Sequence, residues 1–521
     1  MSDTATTAGV GNGSADSNAG PAYTALRQEL RETEALSSIG AVIGWDQETY
    51  MPPAATPLRA EQAALISQLV HDRRTSSRFA ELLAAAEEEV AAGGDEEALA
   101  NLREVRRDFE TSTKFPASLV RDFAEVTTMA QFEWRGARER NDFAAFAPWL
   151  NRVIELNRRK AEALRTEETP GLYDALLDSY EPGMRTAEII RIFTDLRGRL
   201  IPLISAIADS GRLPDNRIQK IRIPIADQAA FNRRVAERIG FDFQAGRLDT
   251  STHPFCQGVG PGDTRLTTRY REDSFFDALS STLHESGHGI YEQRLPKSER
   301  MGEPLSEAAS LGIHESQSRL WENFVGRSRA FWGWALPEAK TVFSPSLNDV
   351  TVDEVYGTLN RVEPNLIRVD SDEATYNLHI MLRFDLERAL LEGDLAVADL
   401  PTAWNDRIRS DLGIEVPDNR MGCLQDVHWS MGAIGYFPTY TLGNLYAAQL
   451  WEALASQIPT LDEQLQAGDF EELRGWLTQK IHRWGRRFTA PELCERATGK
   501  PLTADPFMAY LEGKLRPLYG L

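Results

Sequence analysis

The sequence predicts a mostly α-helical protein with a small β-sheet, and three observations carry that expectation. Apolar residues recur at three- and four-residue spacing through most of the chain, Gly and Pro fall between these stretches, and β-like runs are few. With 521 residues, 42% of them hydrophobic, there is material for one large helical domain or two to three smaller ones.

Residues 1–20, rich in Ser, Thr, Ala, Gly, Asp and Asn, have almost nothing to bury and predict a disordered tail. Residues 21–521 read as a single helical domain. From Tyr23, a stripe of Leu26, Leu30, Leu36 and Ile39 leads to Trp45-Asp46-Gln47, and Pro52-Pro53 stops the helix. A second helix is expected from Glu61 to Leu83, with Gly93-Gly94 separating it from a third that begins near Asp95. Helices follow over Phe143 to Leu164 and Thr186 to Ile207. Lys220 to Pro224 and Arg265 to Tyr270 are the best strand candidates. No repeat with a period of about 20 to 50 residues is visible, which argues against a solenoid.

The next helix carries the chemistry. Ser274-Phe275-Phe276-Asp277 reads as a capping box, and Phe276, Leu279, Leu283 and Ile290 then recur at helical spacing. On this helix stands His284-Glu285-Ser286-Gly287-His288. Two imidazoles four residues apart fall on one face, about one turn apart, so both can reach one metal ion. Neutral imidazole suits Zn²⁺, and three protein ligands leave a position for water, whose pKa such a metal lowers to about 7. Glu285 stands beside the ligands, placed to take a proton from water and deliver it to a leaving amine. Gly287 and Gly289 each cost about 1 kcal/mol against Ala in a helix. They are expected either to permit a close backbone approach or to be merely tolerated.

Two histidines are not a complete site. The extended pattern HExxHxxGxxH fails, because Tyr291 and Arg294 stand where Gly and His are needed, and a carboxylate from elsewhere is the usual alternative. Pro304 opens a helical run expected over Leu305 to Asn323 that offers Glu315. On spacing alone Glu292, Glu303 and Glu307 compete with it. Six of the eight histidines lie between His253 and His428, which concentrates the chemistry there.

Composition excludes other classes. Asp and Glu number 78 against 57 Lys and Arg, and a net charge of -21 repels phosphate backbones, so nucleic acid is not an expected partner. Lys supplies only eight of the basic residues and Arg 49. Excess carboxylate with scarce Lys predicts a halophilic protein working in concentrated salt, where screening relieves self-repulsion, with an acidic protein from an Arg-preferring source as the alternative. Cys256, Cys423 and Cys494 are odd in number and far apart, and fit neither a disulfide framework nor a Cys-based zinc site. The first residues show no leader pattern and no apolar run approaches about 18 residues, so a soluble cytoplasmic protein without membrane contact is expected.

Several stretches in order carry a resemblance. They are Thr282-Leu283-His284-Glu285-Ser286-Gly287-His288-Gly289-Ile290-Tyr291-Glu292-Gln293 and Leu311-Gly312-Ile313-His314-Glu315-Ser316-Gln317-Ser318-Arg319. Beside them stand His253-Pro254-Phe255, Asp263-Thr264-Arg265-Leu266-Thr267, Ile367-Arg368-Val369-Asp370-Ser371-Asp372 and Gly422-Cys423-Leu424-Gln425-Asp426-Val427-His428-Trp429. Together they resemble the M32 family of metallocarboxypeptidases, the thermostable carboxypeptidase Taq type, from about Trp45 to Tyr519. The resemblance implies His284, His288 and Glu315 as metal ligands and Glu285 as general base and acid. It also implies a helical fold with a deep groove and a small sheet beside the zinc helix, a homodimer, Zn²⁺ or sometimes Co²⁺, and release of single residues from peptides with a free C-terminus. Ser371 stands where the family motif usually has Ala, which bears on fine substrate preference.

An enzyme acting at a C-terminus needs a cation for the substrate carboxylate, and the planar fork of Arg suits it. Arg368 is the first candidate and Arg265 the second, each with a structural alternative as partner of Asp370 or Asp263. A donor aimed at the carbonyl oxygen stabilises the charge that develops there, and His428 and Tyr436 are available for it, or else simply pack. Asp426 or Asp263 is a candidate to orient a ligand imidazole. His253 and Phe255 read as groove wall or core, and Trp45-Asp46-Gln47 as a packing lock. A helical zinc oligoendopeptidase shares HExxH and a distant Glu but needs no terminal carboxylate. An M1-type aminopeptidase is disfavoured, since no GxMEN-like stretch precedes the helix. A non-catalytic helical binding protein would be expected to have lost His284, Glu285, His288 or Glu315.

Overall fold

The computed structural model describes residues 20–521, so all but the last residue of the expected tail lies outside it. The long first helix, α1 (Pro21–Thr49), ends ahead of Pro52 and Pro53, as a residue before proline is turned away from helical geometry. The single helix expected over Glu61 to Leu83 is two, α2 (Thr56–Arg74) and α3 (Ser77–Gly93). Ser76 breaks it by going extended, its hydroxyl accepting from Phe79 N at 3.1 Å to start α3. Gly94 then closes α3 in left-handed geometry at φ 72°, and the Asp95 carboxylate caps α4 (Glu96–Thr113). α5 (Ala117–Arg140), α6 (Phe143–Leu164), α7 (Leu172–Leu177), α8 (Thr186–Asp209) and α9 (Ile225–Ile239) follow.

The sheet has three strands, β1 (Gly246–Thr250), β2 (Cys256–Gly260) and β3 (Asp263–Thr268), in the order β1-β3-β2. β1 runs parallel to β3 and β2 antiparallel to it. The expected strand at Arg265 thus exists, shifted toward the N-terminus. Lys220 to Pro224 is no strand: a 3₁₀ turn ends at Lys220, and Ile223 makes one backbone bond, to Glu272 O, before Pro224 ends the run without a donor.

β3 lies beside α10 (Phe275–Arg294), the helix with the two histidines. A Cβ on Gly289 would stand 2.8 Å from Leu266 of β3 and 2.7 Å from Phe241, so glycine is what lets the sheet sit there. Leu279, Leu283 and Ile290 are buried along α10, each contributing about 1.5–3 kcal/mol by transfer from water. The expected capping box does not form. Ser274 makes no cap bond to the backbone and donates to the Asp277 side chain instead.

α11 (Lys297–Arg300) and a 3₁₀ turn at Pro304–Ser306 lead to α12 (Leu311–Arg319), shorter than the run expected over Leu305 to Asn323. The chain is extended at Glu307, and Ser310 caps the true start at Ile313 N, 3.0 Å away. α12 continues directly into a π-helical turn, Leu320–Val325. The remaining helices are α13 (Arg329–Val342), α14 (Val352–Leu359), α15 (Tyr376–Glu392), α16 (Leu400–Leu412), α17 (Pro438–Gln457), α18 (Leu461–Gln466), α19 (Glu471–Lys480), α20 (Ala490–Thr498) and α21 (Asp505–Tyr519). α17 packs tightly on α12, since a Cβ on Gly443 would stand 2.5 Å from the Glu315 side chain.

One large core runs from Leu119 to Tyr519, and a separate small one joins Tyr23, Leu26, Phe79, Leu83, Val90, Leu102 and Val105 of α1, α3 and α4. Ion pairs link the two parts: Arg27 to Glu303 at 2.6 Å, Arg300 to Glu97 at 2.6 Å and Arg486 to Asp108 at 2.9 Å. α2 buries no residue and leaves Leu58, Leu65 and Leu69 exposed.

Candidate metal centre

α10 and α12 touch backbone to backbone at Gly287, where a Cβ would lie 2.5 Å from Gln317 O and 2.7 Å from Ser318 Cα. That contact brings Glu315 to the histidine pair. Its Oε2 lies 3.6 Å from His284 Nε2 and 3.4 Å from His288 Nε2. One ligand atom from each of the three residues falls within 4.8 Å of the others, the one such group of His, Cys, Asp or Glu among the described residues. Two imidazole nitrogens and one carboxylate oxygen form a donor set that suits Zn²⁺ and other divalent ions of similar preference.

The competing carboxylates are occupied elsewhere. Glu292 pairs with His314 and Lys297, Glu303 with Arg27 and Arg300, and Glu307 with Arg486.

The outer nitrogens of both histidines are engaged. His284 Nδ1 is 2.8 Å from Glu322 Oε2, and His288 Nδ1 is 2.6 Å from His314 Nδ1. Glu322 stands on the π-helical turn and receives Ser280 Oγ at 3.1 Å. Arg319 joins the carboxylates, donating from Nε to Glu315 Oε1 at 2.7 Å and from Nη1 to Glu322 Oε2 at 3.2 Å. Burial opposes ionisation of Glu315, but Arg319 and the histidines overcome it and hold its carboxyl well below the usual range. Glu285 is only 6% exposed, and burial, with Glu315 and Glu322 adding, pushes its carboxyl up to about 7 against the opposing pull of His284.

Arg368 is buried and faces Asp426 rather than Asp370. Its Nε and Nη2 donate to Asp426 Oδ1 at 3.0 and 2.8 Å, and its Nη1 donates to the Tyr376 hydroxyl at 3.1 Å. Arg383 takes the other Asp426 oxygen, from Nε at 2.7 Å and Nη2 at 2.5 Å. Two guanidiniums therefore share one carboxylate. Asp426 bonds to neither ligand imidazole, and Glu322 and His314 occupy those positions. His428 lies beside this cluster, with Nε2 3.3 Å from the Tyr440 hydroxyl and its ring 5.5 Å from that of Tyr436. The Arg368 guanidinium is 5.2 Å from the Tyr440 ring, and the Tyr376 ring lies 4.8 Å from the guanidinium of Arg319. The arginine cluster and the ligand group are thus joined through aromatic side chains. Burial raises the Tyr436 phenol, and Glu315 adds to the effect.

Arg265 is differently placed. It pairs with Asp263 at 2.9 and 2.7 Å and lies 4.4 Å over the Trp45 ring, which Arg247 approaches at 4.8 Å. Trp45 thereby ties α1 to the sheet. His253 is exposed between β1 and β2, its carbonyl accepting from Ser251 Oγ at 2.6 Å. No hydrogen bond or ion pair joins His253 or Arg265 to the ligand group among the described residues.

Sequence reasoning missed Glu322, His314, Arg319 and Tyr376. Arg319 follows Glu315 by four residues, a helical spacing that pointed to it. Glu322 is brought round by a π-helical turn that no local pattern announced.

The family model described as Carboxypeptidase Taq (M32) metallopeptidase matches residues 25–515. Thermostable carboxypeptidase 1 of Thermus thermophilus is 44% identical over 507 residues, 96% of this chain and 99% of its own. Carboxypeptidase 1 of Bacillus subtilis is 35% identical over 493 residues, 94% of this chain and 97% of its own. Among solved structures, an M32 carboxypeptidase from Deinococcus radiodurans R1 superimposes with a TM-score of 0.93 at 39% identity, covering 96% of this chain and 100% of that one. Trypanosoma cruzi metallocarboxypeptidase 1 gives 0.91 at 34% identity, covering 95% and 99%.

Proposed function

The chain belongs to the carboxypeptidase Taq (M32) family of metallopeptidases and is a metal-dependent carboxypeptidase, and from that premise we propose how its residues divide the work. His284, His288 and Glu315 hold the metal, Glu285 moves the proton, and Arg368 receives the terminal carboxylate of a peptide. The observation that carries this reading is the convergence of two histidine Nε2 atoms on one Glu315 oxygen.

We name Zn²⁺ as the metal, with Co²⁺ as a substitute, from the chemistry of the donor set. When bound, such an ion supplies Lewis-acid polarisation of the scissile carbonyl and of the attacking water. Glu285, next to His284 on α10 and buried, is the group assigned to accept the water's proton and deliver it to the leaving amine. The C–N bond breaks as the new C–O bond forms, releasing one amino acid.

Arg368 has five N–H groups, and three of them donate to Asp426 and Tyr376. Two remain, and the cluster of Arg368, Arg383 and Asp426 carries one uncompensated positive charge. A substrate carboxylate matches both the free donors and the charge. Arg265 is matched one to one by Asp263, which favours Arg368 for this role and leaves Arg265 to the Trp45 contact. His428 and Tyr436, in the same aromatic group, are the proposed donors to the developing oxyanion. His253, exposed between β1 and β2, is assigned to the wall of the groove that the family resemblance implies.

We further propose that residues 21–521 act as one domain, supported by the ion pairs between its two cores, and that two chains form a homodimer. The exposed stripe of Leu58, Leu65 and Leu69 on α2, with Ile39 and Val42 on α1, supports the dimer. No described helix is long and apolar enough to cross a membrane. Three free cysteines accord with the reducing cytoplasm, and 49 Arg within a net charge of -21 accord with activity in high salt.

The test is digestion of paired peptides, identical except for a free or amidated C-terminus, followed by mass spectrometry with added Zn²⁺ or Co²⁺ and a chelated control. Stepwise loss of residues from the free acid alone, abolished by chelator, is expected. Internal cuts in both peptides would overturn the role given to Arg368.

A further inference from the structure

Resting on the assignment of His284, His288 and Glu315 as ligands, we infer that His314 is a positioning residue for His288, acting as the hydrogen-bond acceptor that fixes its tautomer. The inference follows from counting protons along a chain of three side chains. His288 Nε2 faces Glu315 Oε2 at 3.4 Å and must present a lone pair to a cation, so the one proton of the neutral ring sits on Nδ1. That Nδ1 is 2.6 Å from His314 Nδ1, a contact in which one nitrogen donates and the other accepts. His314 Nδ1 is therefore the acceptor, and its own proton sits on Nε2, which lies 2.8 Å from Glu292 Oε1.

The far end of the chain is compatible with the same order. Glu292 pairs through its other oxygen with the Lys297 ammonium, so it is an acceptor for His314 rather than a donor to it. The reverse direction at the first contact, with His314 donating from Nδ1, would put the proton of His288 on the nitrogen that faces Glu315 and leave no lone pair for a cation. The ligand end sets the direction and the carboxylate end accommodates it: His288 donates to His314, and His314 donates to Glu292.

The arrangement also decides what His314 is not. Its Nδ1 is directed at the outer nitrogen of His288, so His314 is no fourth ligand. It stands next to Glu315 on α12, and one short helix thus supplies the third ligand and the support of the second. A histidine that only packed, against the Tyr291 ring at 5.4 Å for instance, would be replaceable by an apolar residue of similar size.

The experiment measures Zn²⁺ affinity of the full chain by competition with a chromophoric chelator, and the visible bands of the Co²⁺ form. The variants are His314→Leu, His314→Asn and His288→Ala, with thermal midpoints of the metal-free proteins reporting folding. His314→Leu is expected to lose about 10–100-fold in affinity and to shift the Co²⁺ bands. His314→Asn, whose side-chain oxygen stands near the position of Nδ1, is expected to restore most of that affinity. An unchanged affinity in His314→Leu, with His288→Ala losing the metal, overturns the inference alone. Equal losses in His314→Leu and His314→Asn at unchanged thermal midpoints overturn the acceptor role. Parent-like affinity in His288→Ala overturns the ligand assignment beneath it.

Discussion

Arg319 and Glu315, four residues apart on α12, are joined by a 2.7 Å hydrogen bond to the carboxylate oxygen that faces away from His284 and His288. The same guanidinium reaches Glu322, so one largely buried cation steadies both the proposed ligand carboxylate and the one that holds His284. Removing the charge in Arg319→Met leaves the buried Glu315 carboxylate without its guanidinium and Glu322 with only the more distant Arg327, at 3.8 Å. A loss of about 3–5 kcal/mol in the metal-free protein is expected, partly recovered by added Zn²⁺. Denaturant unfolding with and without metal reads it, and an unaltered metal-free midpoint would count against the strut.

Gly287→Ala forces a methyl into the backbone of α12. The two helices must separate, at a cost of about 1–3 kcal/mol, and the geometry of the donor atoms opens with them. A displacement near 1 Å costs on the order of 100-fold in rate, so kcat/KM on a dipeptide substrate should fall steeply. Near-parent kinetics would mean that the helices yield elsewhere.

Arg368→Ala removes the free donors proposed to meet the substrate carboxylate. A charged hydrogen-bonding pair is worth about 1.5–3 kcal/mol, which corresponds to a loss of roughly 10–150-fold in kcat/KM on free-acid peptides. Arg265→Lys, outside the cluster, should change kcat/KM little. If the two variants exchanged effects, the carboxylate site would be at the sheet edge instead.

Glu181 sets a pH dependence of stability. Burial pushes its carboxyl up to about 8, against hydrogen bonds from Ser310 and Gly312 at the start of α12. Its folded pKa is above its unfolded one, so its contribution is complete below about pH 4.5 and is lost as pH rises through about 8. Glu181→Gln, which mimics the protonated form, should be less sensitive than the parent to a change from pH 5 to pH 8.5 in urea unfolding.

Leu65→Glu places a charge in the exposed stripe of α2. Light scattering on a sizing column should show a dimer in the parent and a monomer in the variant, with activity per chain retained. A dimer in both would move the interface to another face.

α10 was legible because two signals coincide in it, an apolar stripe and the histidine spacing. Glu315 was not separable from Glu292, Glu303 and Glu307 by spacing, and the structure gives the reason. Those three are claimed by Lys297, Arg27 and Arg486, and the last two stand far away in the chain. β1 and β2 were missed because they are short, mostly Gly and polar residues with Leu248 and Val259 the single aliphatic residue in each, and both pair with β3. The break at Ser76 and the late start at Ser310 were decided by single serine side chains capping a helix, a signal weaker in sequence than the hydrophobic period around it.

Asp426 serves two arginines, and this makes the cluster unequal toward inherited change. Losing either arginine leaves the other matched with its carboxylate. Losing Asp426 leaves two guanidiniums facing each other inside the protein with nothing between them. As far as folding is concerned, drift is tolerated on the cationic side and barred at the single acid.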